Sequence, residues 1–201
     1  MRYNIAETDG KMNQKYFMKM ACEAAKMSTC LKRKVGAVIV RAGSVIAKGA
    51  NGGEREYLNC LTMEPGGICY WKKMAYVLAR REQTDFDEER FQTIKKEART
   101  LCLSTCAERR AIYQVLNREK LQNASIYCTT YPCPTCAKMI RLAGIKQVCY
   151  MYDYDEERAI CQESSRIFEE AGIVTEIVVL DDEMGAVGKR TEYEYRETNN
   201  K

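Results

Sequence analysis

Between residues 106 and 180 short apolar runs and amphipathic stretches take turns, and this alternation restricts the fold more than any other feature of the chain. The spacing predicts a helix over 106–117, a strand over 125–129, a helix over 134–143, a strand over 147–152, a helix over 156–171 and a strand over 174–180. Strands separated by helices pair in parallel, with the helices on the faces of the sheet. Upstream, VGAVIV at 35–40 and SVIAKG at 44–49 flank Ala42-Gly43, the pattern of a hairpin, whose strands run antiparallel. An amphipathic helix is expected over 16–28. The expected class is therefore α/β, with a mixed five-stranded sheet carrying helices on both faces.

The chain is 201 residues long, which suits one domain burying roughly 70% of the surface of its unfolded form. That domain is expected to span 1–201, with an insertion at about 51–105 and a polar extension at about 181–201. The insertion opens on a glycine-bearing loop, holds Cys60 and Cys69 around Pro65-Gly66-Gly67, and turns charged and helical over 70–99. With 46% hydrophobic and 30% charged residues the composition excludes a disordered or collagen-like chain. Its longest clean apolar run is VGAVIV, too short to span a bilayer. The first fifteen residues are polar with no apolar signal core, so a cytoplasmic location is expected. A net charge of +4 and a pI of 8.4 are mild for a dedicated nucleic-acid binder.

Eleven cysteines and no histidine set the chemistry. An odd count without a secretory signal points to thiols and metal ligands rather than disulfides. The absence of histidine removes serine or cysteine nucleophiles driven by imidazole, and leaves thiolates and carboxylates as zinc donors. Cys133 and Cys136, in Pro132-Cys133-Pro134-Thr135-Cys136, stand one turn apart at a helix start, so both sulfurs can face one ion. Cys106 opens the preceding helix and can supply a third thiolate, with the helix amino termini favouring the deprotonated sulfurs. Three protein ligands leave a fourth tetrahedral position for water, and Glu108, two residues after Cys106, can take that water's proton. A bare CxxC is equally half of a structural zinc ribbon. A ribbon, however, has no need of a Cys-x-Glu at a helix start 27 positions earlier.

In these residues the chain resembles the zinc-dependent cytidine deaminase superfamily, and within it the deoxycytidylate (dCMP) deaminases. The resemblance runs over about 16–180 and is carried by KVGAVIV at 34–40, Asn51-Gly52 after the hairpin, and YCTTYPCPTCAKMIRLAGIKQVCY at 127–150. It implies a three-layer α/β/α fold, Cys106, Cys133 and Cys136 as catalytic zinc ligands, Glu108 as proton shuttle, and Asn51 as a contact to sugar or base. It implies deamination of a small pyrimidine nucleotide, dCMP to dUMP plus ammonia. A homo-oligomer, hexameric or tetrameric, and regulation by dCTP and dTTP come with it. Cys30, Cys60, Cys69 and Cys102 fall near positions where such enzymes hold a structural zinc, whereas Cys22, Cys128, Cys149 and Cys161 lie on apolar faces and read as packing. A tyrosine from the 150–154 cluster would line the base pocket or pack in the core.

Two departures from that family pattern stand out. Enzymes acting on dCMP usually have histidine where this chain has Cys106, and HAExNA where it has CAERRA. The string CAERRAI instead resembles nucleoside cytidine deaminases, which keeps cytidine or deoxycytidine open as the substrate. Three thiolates on Zn²⁺ leave a net charge of −1, and Arg109 can offset it by hydrogen-bonding a ligand sulfur. Among the basic residues of the insertion, Lys72, Lys73, Arg80, Arg81, Lys95, Lys96 and Arg99, acidic residues are interleaved, as on a solvated face. A different class remains open, a silent zinc-stabilised regulatory subunit, which the presence of Glu108 opposes.

Overall fold

A computed structural model describes residues 5–53, 69–81, 88–99, 102–153 and 158–180. In chain order they form α1 (Ile5–Lys26), β1 (Gly36–Arg41), β2 (Ser44–Ala50), α2 (Tyr70–Arg81), α3 (Glu88–Arg99), α4 (Ala107–Gln114), a 3₁₀ turn (Arg118–Leu121), β3 (Ser125–Thr130), α5 (Pro134–Leu142), β4 (Gln147–Tyr152), α6 (Arg158–Glu170) and β5 (Val174–Ile177). The strands make one five-stranded sheet in the order β2-β1-β3-β4-β5. β1 is antiparallel to β2 and β3, whereas β3, β4 and β5 run parallel. The mixed α/β sheet expected from the alternation is the one observed.

Strand parity sorts the side chains into two apolar layers. Ala37, Ile39, Ile126, Cys128 and Val148 face α4, α5 and α6 through Ala111, Ile140 and Phe168. Their neighbours Val38, Val40, Tyr127 and Cys149 face α1 through Phe17, Met18 and Ala21. Successive strand residues point to opposite faces, so a strand covered on both sides must be apolar throughout, which is why VGAVIV is an unbroken run. The hairpin turns at Ala42 and Gly43, with φ of 49° and 73°, the two left-handed residues of a tight I′ turn.

Two glycines set how closely the layers meet. A Cβ on Gly36 would overlap the backbone of Ala21 and Ala25 in α1, and one on Gly49 would overlap the carbonyl of Ala107 and crowd the amide of Ala111 in α4. Gly49→Ala must therefore push α4 off β2. We expect a loss of about 1–3 kcal/mol, read as a lower urea midpoint at unchanged slope, and an unaltered midpoint would contradict the close approach.

Several boundaries differ from the expectations. α1 begins eleven residues earlier than the periodicity indicates, at Ile5 rather than Tyr16. The charged stretch over 70–99 is two helices, α2 and α3, which pair through Ala75, Ile94 and Ala98 against Leu31 and Cys69. α4 stops at Gln114, its last turn closed by the Val115 amide on the Ile112 carbonyl, and β5 ends at Ile177. The extension at 181–201 lies outside the described residues. No helix among the described residues is long and apolar enough to cross a membrane.

Candidate active site

Sheet topology gathers three loops at one end. β1 runs opposite to β3, with Ala37 beside Cys128, and β2 runs opposite to β1, with Ala50 beside Gly36. The carboxyl ends of β2 and β3 therefore share an edge of the sheet with the amino end of β1. From β2 the chain enters Asn51-Gly52-Gly53, and from β3 it enters Tyr131-Pro132-Cys133. Gly52 forms an antiparallel bridge with Thr105, the residue before Cys106. In doubly covered α/β sheets, ligands bind in this kind of crevice beyond strand ends.

Cys106 and Cys133 each occupy the N-cap of a helix, α4 and α5, in extended backbone (ψ 151° and 163°). Neither sulfur caps its own helix. Pro134 at the first position of α5 has no N–H to satisfy and its fixed φ suits a helix start. The ligand atoms of Cys106, Cys133 and Cys136 lie within 4.8 Å of one another, and among the described residues no other trio of thiol or carboxylate groups does. The three thiols are linked by hydrogen bonds. Hydrogen bonds from Cys106 and Cys136 hold the Cys133 thiol below its usual range, while that same sharing and burial push Cys136 up. Three converging sulfurs at two helix amino termini fit a tetrahedral Zn²⁺ with one position open, and binding it would displace the remaining thiol protons.

Glu108 sits in the first turn of α4 and is 4% exposed. Burial, and then the negative charge of Cys106, push its carboxyl up to about 8. A divalent cation on the sulfurs opposes the second of these effects and favours the carboxylate. Arg109 donates from Nη2 to Cys106 Sγ at 3.4 Å, the contact expected from its place after Glu108. Its Nε is buried without a hydrogen-bond partner.

Asn51 is half-buried in the loop after β2, and most of its hydrogen-bonding capacity is used within the chain. Its Oδ1 accepts from Ser28 Oγ at 2.6 Å and from the Val35 amide at 2.8 Å, and its Nδ2 donates to the Arg33 carbonyl at 2.8 Å. One Nδ2 hydrogen has no partner among the described residues. Asn51 is thus the joint between the end of α1, the start of β1 and the end of β2. The residues that complete this joint, Ser28, Thr29 and Arg110, are not singled out by any motif in the sequence. A Ser-Thr pair just past an amphipathic helix is the one sign there of a capping role.

Cys69 and Cys102 meet in the apolar cluster of α2 and α3 that also holds Leu31, the neighbour of Cys30. Cys60 lies outside the described residues. Cys22, Cys128 and Cys149 are buried and Cys161 is half-buried. Tyr150 packs edge-on against Tyr131 with ring centroids 4.6 Å apart, and Tyr131 shares a 2.9 Å hydrogen bond with Ser165. Tyr154 lies outside the described residues. Of the seven basic residues noted in the insertion, Lys73 alone has a described side chain, and it is exposed.

A family profile for the cytidine and deoxycytidylate deaminase zinc-binding region matches residues 11–152. The chain belongs to this family. It is 36% identical over 158 residues to deoxycytidylate deaminase of Saccharomyces cerevisiae, covering 79% of this chain and 42% of that protein. It is 37% identical over 140 residues to the enzyme of the same name from Schizosaccharomyces pombe, covering 70% of this chain and 37% of that protein. The aligned region thus spans about two fifths of the length of these relatives. The crystal structure of dCMP deaminase from cyanophage S-TIM5, in complex with dCMP and dUMP, matches with a TM-score of 0.54 at 24% identity. That match covers 88% of this chain and 98% of that one, and it establishes a shared deaminase fold.

Proposed function

We propose that the chain catalyses hydrolytic deamination of a cytosine nucleotide, dCMP to dUMP plus ammonia. The observation that carries the reading is the buried carboxyl of Glu108 on the same helix turn as one of three convergent thiols. Cys106, Cys133 and Cys136 would hold zinc, which when bound supplies the Lewis acidity that makes water a nucleophile at neutral pH. Glu108 takes a proton from the water that adds at C4, delivers it to ring N3, and returns the second to the departing amine. Glu108 is almost fully buried, so the carboxyl works in a low-dielectric site. Relatives named deoxycytidylate deaminase support the nucleotide as substrate.

A second reading, deamination of the free nucleoside, is favoured by the Arg109–Cys106 hydrogen bond and the CAERRAI string. Ammonia release from dCMP, CMP, deoxycytidine, cytidine and cytosine, measured side by side, separates the two. Dependence on the phosphate supports the nucleotide, and turnover of deoxycytidine at the same rate overturns it. The number of ions belongs to the same proposal. Metal analysis near two zinc per chain supports a structural site on Cys30, Cys60, Cys69 and Cys102, and a value near one removes it.

Arg109 has a role in this scheme that is electrical rather than steric. Drawing charge off the Cys106 sulfur leaves a bound ion more acidic toward its water. Arg109→Ala is expected to lower kcat with zinc retained. Adding Cys106→His, which replaces a thiolate by a neutral donor, should recover part of the loss. A double mutant whose defect equals the product of the two single defects would rule out this role.

A further inference from the structure

We propose that Arg110 is a positioning residue that clamps the Asn51 loop to the metal-ligand loop and so sets where substrate sits. Arg109 and Arg110 are neighbours in sequence but reach different partners. Arg109 turns to the Cys106 sulfur, whereas Arg110 Nη2 donates to the Gly52 carbonyl at 2.7 Å. That carbonyl already accepts the Thr105 amide at 2.9 Å, and the Gly52 amide returns a 3.1 Å bond to the Thr105 carbonyl. Both lone pairs of the Gly52 oxygen are thereby used, one by the backbone bridge and one by a charged donor, the stronger kind of hydrogen bond.

The clamp joins three elements. Arg110 lies one turn into α4, its amide bonded to the Cys106 carbonyl at 3.1 Å, so it is rigidly fixed to the ligand that precedes it. Gly52 is held on its other side by Thr29, in the loop that follows α1. Its φ of 132° suits glycine, and a Cβ there would overlap the Thr29 hydroxyl, which itself donates to the Gly53 carbonyl at 3.3 Å. Asn51 is tied to Ser28, Arg33 and Val35, all on the α1 and β1 side. Among the described side chains that hold this loop, Arg110 is the one that comes from the helix bearing Cys106 and Glu108. Without it, the hydrogen bonds that tie the Gly52 loop to the Cys106 loop among the described residues are the two of the Gly52–Thr105 bridge, and two backbone hydrogen bonds at a loop crossing open readily.

Arg110 makes no contact with the sulfurs, so its loss should leave the metal and the proton shuttle in place while loosening the substrate side. The kinetic part of this rests on the proposed nucleotide deamination and on Asn51 as the substrate contact. The test uses the full zinc-loaded chain and the variants Arg110→Met and Arg110→Lys, with amide hydrogen exchange and steady-state kinetics on dCMP. In Arg110→Met the Gly52 and Thr105 amides should exchange about tenfold faster, the scale set by losing one charge-assisted hydrogen bond. KM should rise about as much with kcat nearly unchanged, zinc content should hold, and the Co²⁺-substituted form should keep its thiolate absorption. Arg110→Lys, which can still donate to the Gly52 carbonyl, should restore part of both effects. Unchanged exchange at Gly52 and Thr105 in Arg110→Met overturns the clamp. Faster exchange accompanied by a fall in kcat at constant KM, or by no kinetic change, overturns its role in placing substrate. If the unsubstituted chain releases no ammonia from dCMP, the deaminase reading is what fails, and the exchange experiment still decides the clamp.

Discussion

Glu108→Gln is expected to abolish nearly all turnover while leaving fold and zinc content intact. The substitution is close to isosteric, and burial pushes the Glu108 carboxyl up to about 8, so a neutral side chain is tolerated there. What the amide lacks is the capacity to accept a proton from water and return it. Proton transfer by a positioned side chain contributes roughly 10²–10⁴-fold, and here one carboxyl serves the addition and the departure of ammonia, so a fall toward the upper end is expected. That corresponds to about 3–5 kcal/mol of transition-state stabilisation. Zinc measured in the same preparation separates this from loss of the site. Activity within tenfold of the unsubstituted chain would remove Glu108 as the proton shuttle, whereas no turnover by the unsubstituted chain would favour a zinc-stabilised regulatory subunit.

Glu108 and the three cysteines are legible in the sequence because their chemistry leaves a short-range signature. A Cys-x-Glu and a Pro-Cys-x-x-Cys at two expected helix starts encode both the donors and the direction in which they point. The hairpin at Ala42-Gly43 and the strand at 147–152 are legible for a similar reason, since turn chemistry and a short apolar run are local. Asn51 is visible only as an Asn-Gly after a strand. Its bonds to Ser28, Arg33 and Val35 span 16 to 23 positions, and no pattern within one element records them. The double arginine at 109–110 shows the limit most clearly. Its two side chains leave α4 about 100° apart, one toward a sulfur and one toward a carbonyl of another loop, and only the packed sheet determines which does which. The end of α4 at Gln114 is hidden because composition continues across it.

Removing one ligand sulfur should have an effect on stability as large as its effect on catalysis. An ion that binds only the folded chain stabilises it by mass action, about 4 kcal/mol when free metal exceeds Kd a thousandfold. For a chain of this size each kcal/mol moves Tm by roughly 2–4 °C, so Cys136→Ala is expected to lower the Tm of the zinc-loaded protein by about 8–16 °C. Part of any such loss comes from truncating a fully buried side chain, and Cys128→Ala controls for it. Cys128 is as buried as Cys136, yet it faces the apolar layer and lies outside the sulfur trio. Its substitution should leave zinc content unchanged and Tm only slightly lower. The decisive comparison adds a chelator. Stripping metal should lower the Tm of the unsubstituted chain and of Cys128→Ala by the same amount, and should lower that of Cys136→Ala by less, with only an ion on Cys30, Cys60, Cys69 and Cys102 left to lose, because a ligand already lost cannot be lost again. If the chelator destabilises Cys136→Ala as much as the others, the ion is held elsewhere, and the convergence of Cys106, Cys133 and Cys136 would be a feature of packing.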